Sequence, residues 1–327
     1  MLFRSKLGDT ADFVLIGVNV FAAGILYVGS DVDWITKRSP DPVTGACPDP
    51  STFGLGSFQG LTNQDGSQAA TPVPANQIDG DSTGYVVAGP DAAVTPDAGF
   101  LTVFTITKDA TTGDAVIGAG RAVAVPAFNV PADAPQKRVK KKLDTQDARL
   151  TQAVSAFDPD PAHSGVGLWT QHTVFGGAGA EVRWYEIDPV NAALFQSGVV
   201  TSPVLYAFNG AVSPDRVVAP GGSAFGSDMV LGFNTSSTTT FPAIQMVSKV
   251  GSGAQSAFVL VKQSPGKNVD FTCKPVCRWG DYGGASPDPA ASPTGSTGTV
   301  WLSNQWNVRS LDPISADWRT WNWSATP

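Results

Sequence analysis

The chain has 327 residues, of which 42% are hydrophobic and only 15% are charged, with 35 glycines and 25 prolines. Its net charge of −7 makes nucleic acid an unsuitable partner, because binding to a phosphate backbone depends on clustered lysine and arginine. The sequence has no long apolar stretch of the kind that forms a membrane-spanning helix, and its aromatic content argues against a disordered chain.

Short apolar segments separated by Gly, Pro, Asp and Ser clusters recur along most of the chain. This spacing is typical of β-strands joined by tight turns. The apolar run Phe13–Val28 predicts two strands joined by a turn. Further strands are predicted, in chain order, at Thr83–Ala88, Phe100–Thr107, Arg121–Val125, Gly167–Val174, Glu181–Ile187, Met229–Phe233, Ala257–Lys262 and Thr299–Ser303. Only Pro131–Arg149 permits a helix, and its prolines and lysines disfavour one, so the fold is predicted to be all-β.

One basic run, from Lys137 to Lys142, follows a proline-rich stretch and is followed by Asp144 and Asp147. We interpret it as a solvated loop, with contact to an anionic ligand as the alternative.

Two distant segments of the sequence are similar to each other. The first starts at Arg149 and continues into a strand centred on Trp169; the second starts at Arg278 and continues into a strand centred on Trp301. Each contains an Asp-Pro turn between the arginine and the tryptophan. Their separation equals about three periods of ~43 residues, the length of a β-propeller blade. We therefore predict that residues 1–327 form a single β-propeller of six to seven four-stranded blades, with a two-sheet sandwich or a two-domain β protein as the alternative. Trp169 and Trp301 are predicted to fill its core.

Asp-Pro turns recur through the chain and are explained by the turn chemistry of the two residues, since Asp bonds to the backbone two residues on and Pro fixes φ. They lie at Ser39–Pro42, Cys47–Pro50, Asp158–Pro161 and Ser286–Pro289. Structural calcium held by these aspartates is the alternative, although calcium requires six to eight converging oxygens. No cofactor and no other metal site is predicted.

Three cysteines indicate an oxidising compartment. Cys273 and Cys277 are close enough to form a small disulfide-closed loop, with Cys47 left over. The first five residues, Met1–Ser5, have the character of a non-native leader, so we predict an N-terminally truncated secreted protein whose signal peptide lies outside this sequence.

A family resemblance extends over about residues 143 to 307. The segments Cys277–Tyr282, Ser286–Pro289 and Val300–Gln305 resemble the closing blades of secreted bacterial sialidase-like β-propeller proteins, many of them uncharacterised. The stretch from Leu143 to Leu150 is similar to the same group. The resemblance implies a propeller and export but no particular activity, because one fold hosts many functions. The repeated Asp box of true sialidases is not intact anywhere; Ala316–Trp321 matches only the end of one.

Six residues are predicted to bind a ligand: Asp147, Arg149, Arg183, Trp279, Asp281 and Tyr282. Carboxylates beside strand starts and a tyrosine match the groups that glycoside cleavage uses. Arginines suit bidentate contact with an acidic sugar, and Trp279 could stack on a sugar ring. A structural role for the arginines, tying neighbouring blades, remains open.

We therefore predict a secreted module that binds an extracellular glycan or protein. The alternative is a sialidase-like glycoside hydrolase or lyase that acts on extracellular polysaccharide. Catalytic residues cannot be assigned from the sequence.

Overall fold

The computed structural model describes residues 5–23, 26–79, 82–162, 165–218, 222–290, 297–308 and 318–327. These residues form β-strands and one short 3₁₀ turn at Pro50–Thr52, which confirms the all-β prediction. Residues 1–4 of the suspected leader and residues 316–317 of the Asp-box remnant lie outside the described residues.

The strands of the first half of the chain are β1 Lys6–Asp9, β2 Phe13–Ala22, β3 Leu26–Thr36, β4 Leu55–Phe58, β5 Ala70–Pro74, β6 Asn76–Gln77, β7 Gly84–Gly89, β8 Ala98–Lys108, β9 Ala115–Ile117, β10 Arg121–Phe128, β11 Ala134–Gln136, β12 Val139–Leu143 and β13 Leu150–Asp158. Those of the second half are β14 Gly165–Val174, β15 Glu181–Asp188, β16 Ala193–Val200, β17 Tyr206–Pro214, β18 Val217–Val218, β19 Ala224–Phe225, β20 Met229–Ser236, β21 Ala243–Lys249, β22 Val259–Gln263, β23 Gly284–Pro287, β24 Val300–Asn307 and β25 Trp318–Ala325. Every segment predicted as a strand overlaps an observed strand, although Thr83, Ala257, Phe258 and Thr299 lie just before the strands to which they were assigned.

Most strands belong to antiparallel sheets in which strands that follow one another along the chain pair side by side. Within the described ranges there are five such sheets: β1-β2-β3-β4, β5-β7-β8-β10, β13-β14-β15-β16, β17-β20-β21-β22 and β23-β24-β25. The short strand β6 pairs in parallel with both β1 and β13, and so links the first sheet to the third. The first strands of successive sheets contact one another in chain order. The sheets therefore follow one another along the chain, each beside the next.

The predicted number of six to seven blades is not confirmed, because the described residues form the five sheets named above, of which β6 joins the first and third into one nine-stranded sheet, and two separate hairpins. The first strands of the five sheets begin at unequal intervals, since the hairpin β11-β12 lies between the second and third sheets and the hairpin β18-β19 lies within the fourth. Division of the chain length by a constant blade length of ~43 residues therefore overestimates the number of sheets.

The core consists of apolar layers between successive sheets. Side chains of a strand point alternately to its two faces, and β2 follows this rule, with Phe13 and Leu15 buried and their neighbours partly exposed. Phe13 packs with Phe104 between the first and second sheets. Equivalent layers join the second sheet to the third, the third to the fourth, and the fourth to the fifth.

The two matched tryptophans do lie in equivalent second strands, but only one of them fills the core. Trp169 of β14 is fully buried and stacks on Trp184 at 5.9 Å between ring centroids. Trp301 of β24 is 50% exposed, and its indole Nε1 donates to Asp288 at 3.0 Å. The prediction of a core role for Trp301 is therefore wrong.

The Asp-Pro segments are turns held by side-chain hydrogen bonds. Asp41 accepts from the amides of Val43 and Thr44, and Asp288 accepts from the amide of Ala290. Hydrogen bonding to the charged form lowers the pKa of Asp41 and of Asp288. Across the described part of the chain, no group of three or more His, Cys, Asp or Glu side chains is arranged to hold a metal ion.

The predicted disulfide between Cys273 and Cys277 is present, and Cys47 is an exposed free cysteine. The two bonded cysteines are buried beside Phe208 and Trp279. Among the described residues, no helix has the length and apolar character required to cross a membrane.

Candidate functional site

Four of the six predicted site residues immediately precede two first strands. Asp147 and Arg149 come just before β13, and Asp281 and Tyr282 come just before β23. The side-chain Nε2 of Gln152 in β13 donates to the backbone carbonyl of Ala285 in β23 at 2.7 Å, so the two strands lie close to each other. The charge of Asp281 also acts on Arg149. The two pairs, although far apart in sequence, therefore lie toward the same end of the sheets, where they line two different cavities.

Asp147 and Arg149 form a bidentate ion pair. Both Nε and Nη2 of the guanidinium donate to the carboxylate. Gln146 and Ala148 on either side have positive φ values of 68° and 66°, and this sharp bend directs the two charged side chains toward each other. Burial works to lower the pKa of Arg149, but the hydrogen bond and charge of Asp147 outweigh it, and the pKa is raised.

A cavity of about 130 Å³ lies behind this ion pair, lined by Arg149, Asn19, Tyr27, Thr71 and His172 among others. Within the described residues, the buried Nη1 of Arg149 has no hydrogen-bond partner. Asn19 and Thr71 bond to each other at 2.9 Å. The cavity is smaller than the roughly 300–1,000 Å³ of most ligand pockets, and is suited to a few water molecules.

His172, at the back of this cavity, is fully engaged. Its Nδ1 donates to the carbonyl of Ala148 at 2.9 Å, and its Nε2 therefore accepts from the hydroxyl of Tyr185, also at 2.9 Å. Burial lowers the pKa of His172 to about 4, so the ring is neutral at pH 7. Both ring nitrogens of His172 are hydrogen-bonded within the protein, so this histidine has a structural role.

A larger cavity of about 380 Å³ lies beside Asp281 and Tyr282, and we call it the aromatic pocket. Three aromatic side chains in its wall are well exposed: Phe271 at 62%, Tyr282 at 59% and Trp318 at 47%. The polar part of the wall comprises Asp270, Thr272, Arg278, Asp281, Ser303, Asn304, Gln305 and Thr320. This combination of open aromatic faces with hydroxyl, amide and charged groups is suited to a sugar ring, whose faces are apolar and whose edge is polar.

Arg278 and Asp281 form an ion pair at one side of the aromatic pocket. The hydrogen bond to Asp281 and the charge of that carboxylate raise the pKa of Arg278. Tyr282 also lines a third cavity, of about 260 Å³, together with Lys6 of the first sheet. The Lys6 ammonium lies 4.6 Å from the centroid of the Tyr282 ring and donates to the carbonyl of Asp281 at 3.3 Å. The first and fifth sheets thus meet at this point.

Of the two remaining predicted site residues, Arg183 does not join the others, and Trp279 belongs to the wall of the aromatic pocket but has a buried ring. Arg183 bonds to Glu181 at 3.1 Å and donates to the carbonyl of Ala127 at 2.8 Å, which ties the third sheet to the second. This is the structural role that the sequence left open. Trp279 is only 1% exposed and packs against the disulfide, so a sugar cannot stack on its ring, and the prediction of stacking there is wrong.

Several residues of the aromatic pocket were not identified from the sequence. Phe271 carries no motif, and Trp318 belongs only to the incomplete Asp box. Lys6, which lines the adjoining 260 Å³ cavity, is 275 residues from the carbonyl that it contacts. Their aromatic or charged character is visible in the sequence, but their convergence depends on how the fifth sheet meets the first.

The carboxyl groups with clearly raised pKa values in the range of an acid catalyst lie elsewhere. Burial raises the pKa of Glu186 to about 9 and that of Asp215 to about 6. Neither residue lines the 130 Å³ cavity or the aromatic pocket. Both Asp147 and Asp281 are instead held by arginines.

Comparison with known proteins gives only weak similarities. No family model matches the sequence, and no curated protein matches it. Among solved structures, an α-L-arabinofuranosidase of glycoside hydrolase family 43 from Clostridium thermocellum has a TM-score of 0.40 at 9% identity, covering 97% of this chain and 88% of its own. A family 43 enzyme from Xanthomonas citri in complex with xylose has a TM-score of 0.35 at 11% identity, covering 92% and 81%. Similarity at this level does not establish the fold, activity or substrate of this chain.

Proposed function

We propose that this chain is a secreted β-propeller that binds an extracellular carbohydrate in the aromatic pocket. The five sheets would close into one ring, with Lys6 of the first sheet joining Asp281 and Tyr282 of the fifth. The observation that carries the proposal is the composition of the pocket wall, in which Phe271, Tyr282 and Trp318 present exposed rings beside polar groups. Its volume of about 380 Å³ is in the range of small-ligand sites.

Binding without turnover agrees better with the site than hydrolysis does. A glycosidase requires a protonated carboxylic acid beside the scissile bond and a second carboxylate or a tyrosine opposite it. Asp147 and Asp281 each bond to an arginine, and the carboxyl groups with raised pKa values are buried elsewhere.

The alternative, a sialidase-like glycoside hydrolase or lyase, is favoured by one observation. Asp147, Arg149, Asp281 and Tyr282 lie toward the same end of the sheets, which places two carboxylates, an arginine and a phenol near each other. This grouping is the part of the site that a sialidase-like mechanism would use.

The test is a calorimetric titration with neutral oligosaccharides, comparing the wild type with Tyr282→Ala and Phe271→Ala. Loss of one stacking ring is expected to weaken binding by about tenfold, equivalent to about 1.4 kcal/mol. Trp301→Ala is the matched control, because Trp301 is equally exposed but does not line the pocket. Equal affinities for all four proteins would refute the pocket as the site.

Turnover is assayed in parallel with chromogenic glycosides. The binding proposal expects no release of chromophore by any of these proteins. Release that is abolished by Asp281→Asn or Tyr282→Phe would instead establish the hydrolase.

A further inference from the structure

The basic run from Lys137 to Lys142 is an ordered hairpin and not the loop that the sequence suggested. The hairpin consists of β11 and β12, which pair in an antiparallel manner, and the basic run forms its turn and most of its second strand. Arg138 lies in the turn with a φ of 64°, and Lys140, Lys141 and Lys142 follow it along β12 with exposed side chains. Because side chains alternate along a strand, Lys140 and Lys142 share one face of β12.

This hairpin is fixed to the disulfide loop by backbone hydrogen bonds. The amide of Cys277 donates to the carbonyl of Lys142, and the amide of Asp144 donates to the carbonyl of Cys277, both at 2.9 Å. Gln136 and Asn268 exchange two further bonds, at 2.7 and 2.9 Å. The exposed cations of the disulfide loop are therefore held next to those of the hairpin.

Together the two segments form what we call the cationic surface, which consists of Arg138, Lys140, Lys141, Lys142, Lys274 and Arg278. The whole chain has only 21 lysines and arginines against 28 acidic residues. This concentration of positive charge on an otherwise acidic protein creates a local field that attracts anions, and Asp133 and Asp144 beside the hairpin reduce that field only in part.

The cationic surface is continuous with the aromatic pocket, because Arg278 belongs to both. A ligand that occupies the pocket and extends over the hairpin would place its neighbouring units above the lysines. Asp281 already binds Arg278, so the remaining positive charge is that of the lysines and Arg138.

We infer that the cationic surface binds the charged groups of an anionic polysaccharide while one sugar unit occupies the aromatic pocket. This inference rests on the proposed carbohydrate binding and specifies the class of ligand. The adjoining pocket distinguishes a polysaccharide from other polyanions, since its hydroxyl and amide groups suit a sugar.

The test uses dextran sulfate and unsulfated dextran, which share a backbone and differ in charge. We expect the 327-residue chain to bind dextran sulfate more tightly than dextran, and less tightly as salt is raised, because salt screens exposed charges. The variant Lys140→Gln/Lys142→Gln is expected to lose at least tenfold in affinity for dextran sulfate. The control Lys37→Gln/Lys108→Gln removes the same charge at exposed positions in the first and second sheets, and is expected to change the affinity by less than twofold.

Equal loss in both double variants would overturn the inference, since net charge alone would then explain it. Binding of duplex DNA or of anionic phospholipid vesicles as tightly as dextran sulfate would also overturn it, because the surface would then not select a polysaccharide. Failure of the pocket proposal alone gives a different result: neutral oligosaccharides do not bind, while dextran sulfate still depends on Lys140 and Lys142.

Discussion

Gly198 lies directly opposite Trp184 in the third sheet, and the absence of a side chain at position 198 is what admits the indole. A Cβ added there would come within 2.5 Å of the indole Nε1. The indole cannot move away easily, because its Nε1 donates to Gln255 at 2.7 Å. Gly198→Ala is therefore expected to lower the free energy of unfolding by about 1–3 kcal/mol through overpacking, as measured by urea unfolding.

The matched control for this prediction is Gly284→Ala. Gly284 also lies in a strand, but the nearest atom to an added Cβ is 4.0 Å away, so little change in the free energy of unfolding is expected. An equal loss in both variants would show that the steric explanation is wrong and that the effect arises from the backbone.

The same relationship occurs in the first sheet, where Gly56 lies opposite Trp34 and a Cβ would come within 2.7 Å of the indole. In both sheets the tryptophan lies in the third strand and the glycine lies opposite it in the fourth strand. It is an internal repeat that the sequence comparison missed, because the two residues of each pair are separated by turns of different length. The repeat that was identified, Trp169 and Trp301, correctly matched second strands of two sheets but not their burial.

Local signals sufficed to predict the strands, the Asp-Pro turns and the disulfide, because each depends on residues that are close in sequence. The number of sheets and the composition of the site depend on long-range packing. Arg183 and Arg149 are equally plausible in the sequence, yet one joins two sheets and the other pairs with Asp147. Burial of Trp279 beside the disulfide is likewise decided by the connection between β22 and β23.

The lowered pKa of His172 predicts that the folded protein loses stability in acid. Its folded-state pKa of about 4 is below the ordinary value of 6.5, so between these values the unfolded state binds the proton more readily. The contribution of His172 is fully present above pH 6.5 and is lost as the pH falls toward 4. We expect the urea midpoint to fall over this range, and to fall less in His172→Gln. An unchanged pH slope in that variant would assign the effect to other groups.

The raised pKa of Glu186 predicts that the folded protein also loses stability as the solution becomes alkaline. Burial, with a hydrogen bond to Asp158, raises its pKa to about 9 despite the opposing bond from Gln196, whereas the unfolded value is near 4.5. Its folded-state preference for the proton therefore stabilises the fold fully only below pH 4.5, and this contribution is lost as the pH rises to 9.

Glu186→Gln tests this, because glutamine resembles the protonated acid in shape and cannot ionise. The variant is expected to match the wild type in thermal stability near pH 5 and to exceed it near pH 9. Gln196→Ala serves as the comparison, since it removes the partner and retains the ionisable group. If the wild type and Glu186→Gln lose stability in parallel up to pH 9, Glu186 is not the group responsible.

The disulfide is expected to support both stability and the aromatic pocket. It closes a loop between residues four apart in sequence, and the loop-entropy relation gives roughly 2 kcal/mol for a loop this short. Phe271 and Thr272, which line the pocket, directly precede Cys273, so opening the loop also loosens the pocket wall. We expect reductant to lower both the melting temperature and the affinity for oligosaccharide in the wild type. Cys273→Ala/Cys277→Ala should have the reduced values from the start and show no response to reductant, and Cys47→Ser should behave as the wild type. A response to reductant that persists in the double variant would place the redox-sensitive group elsewhere.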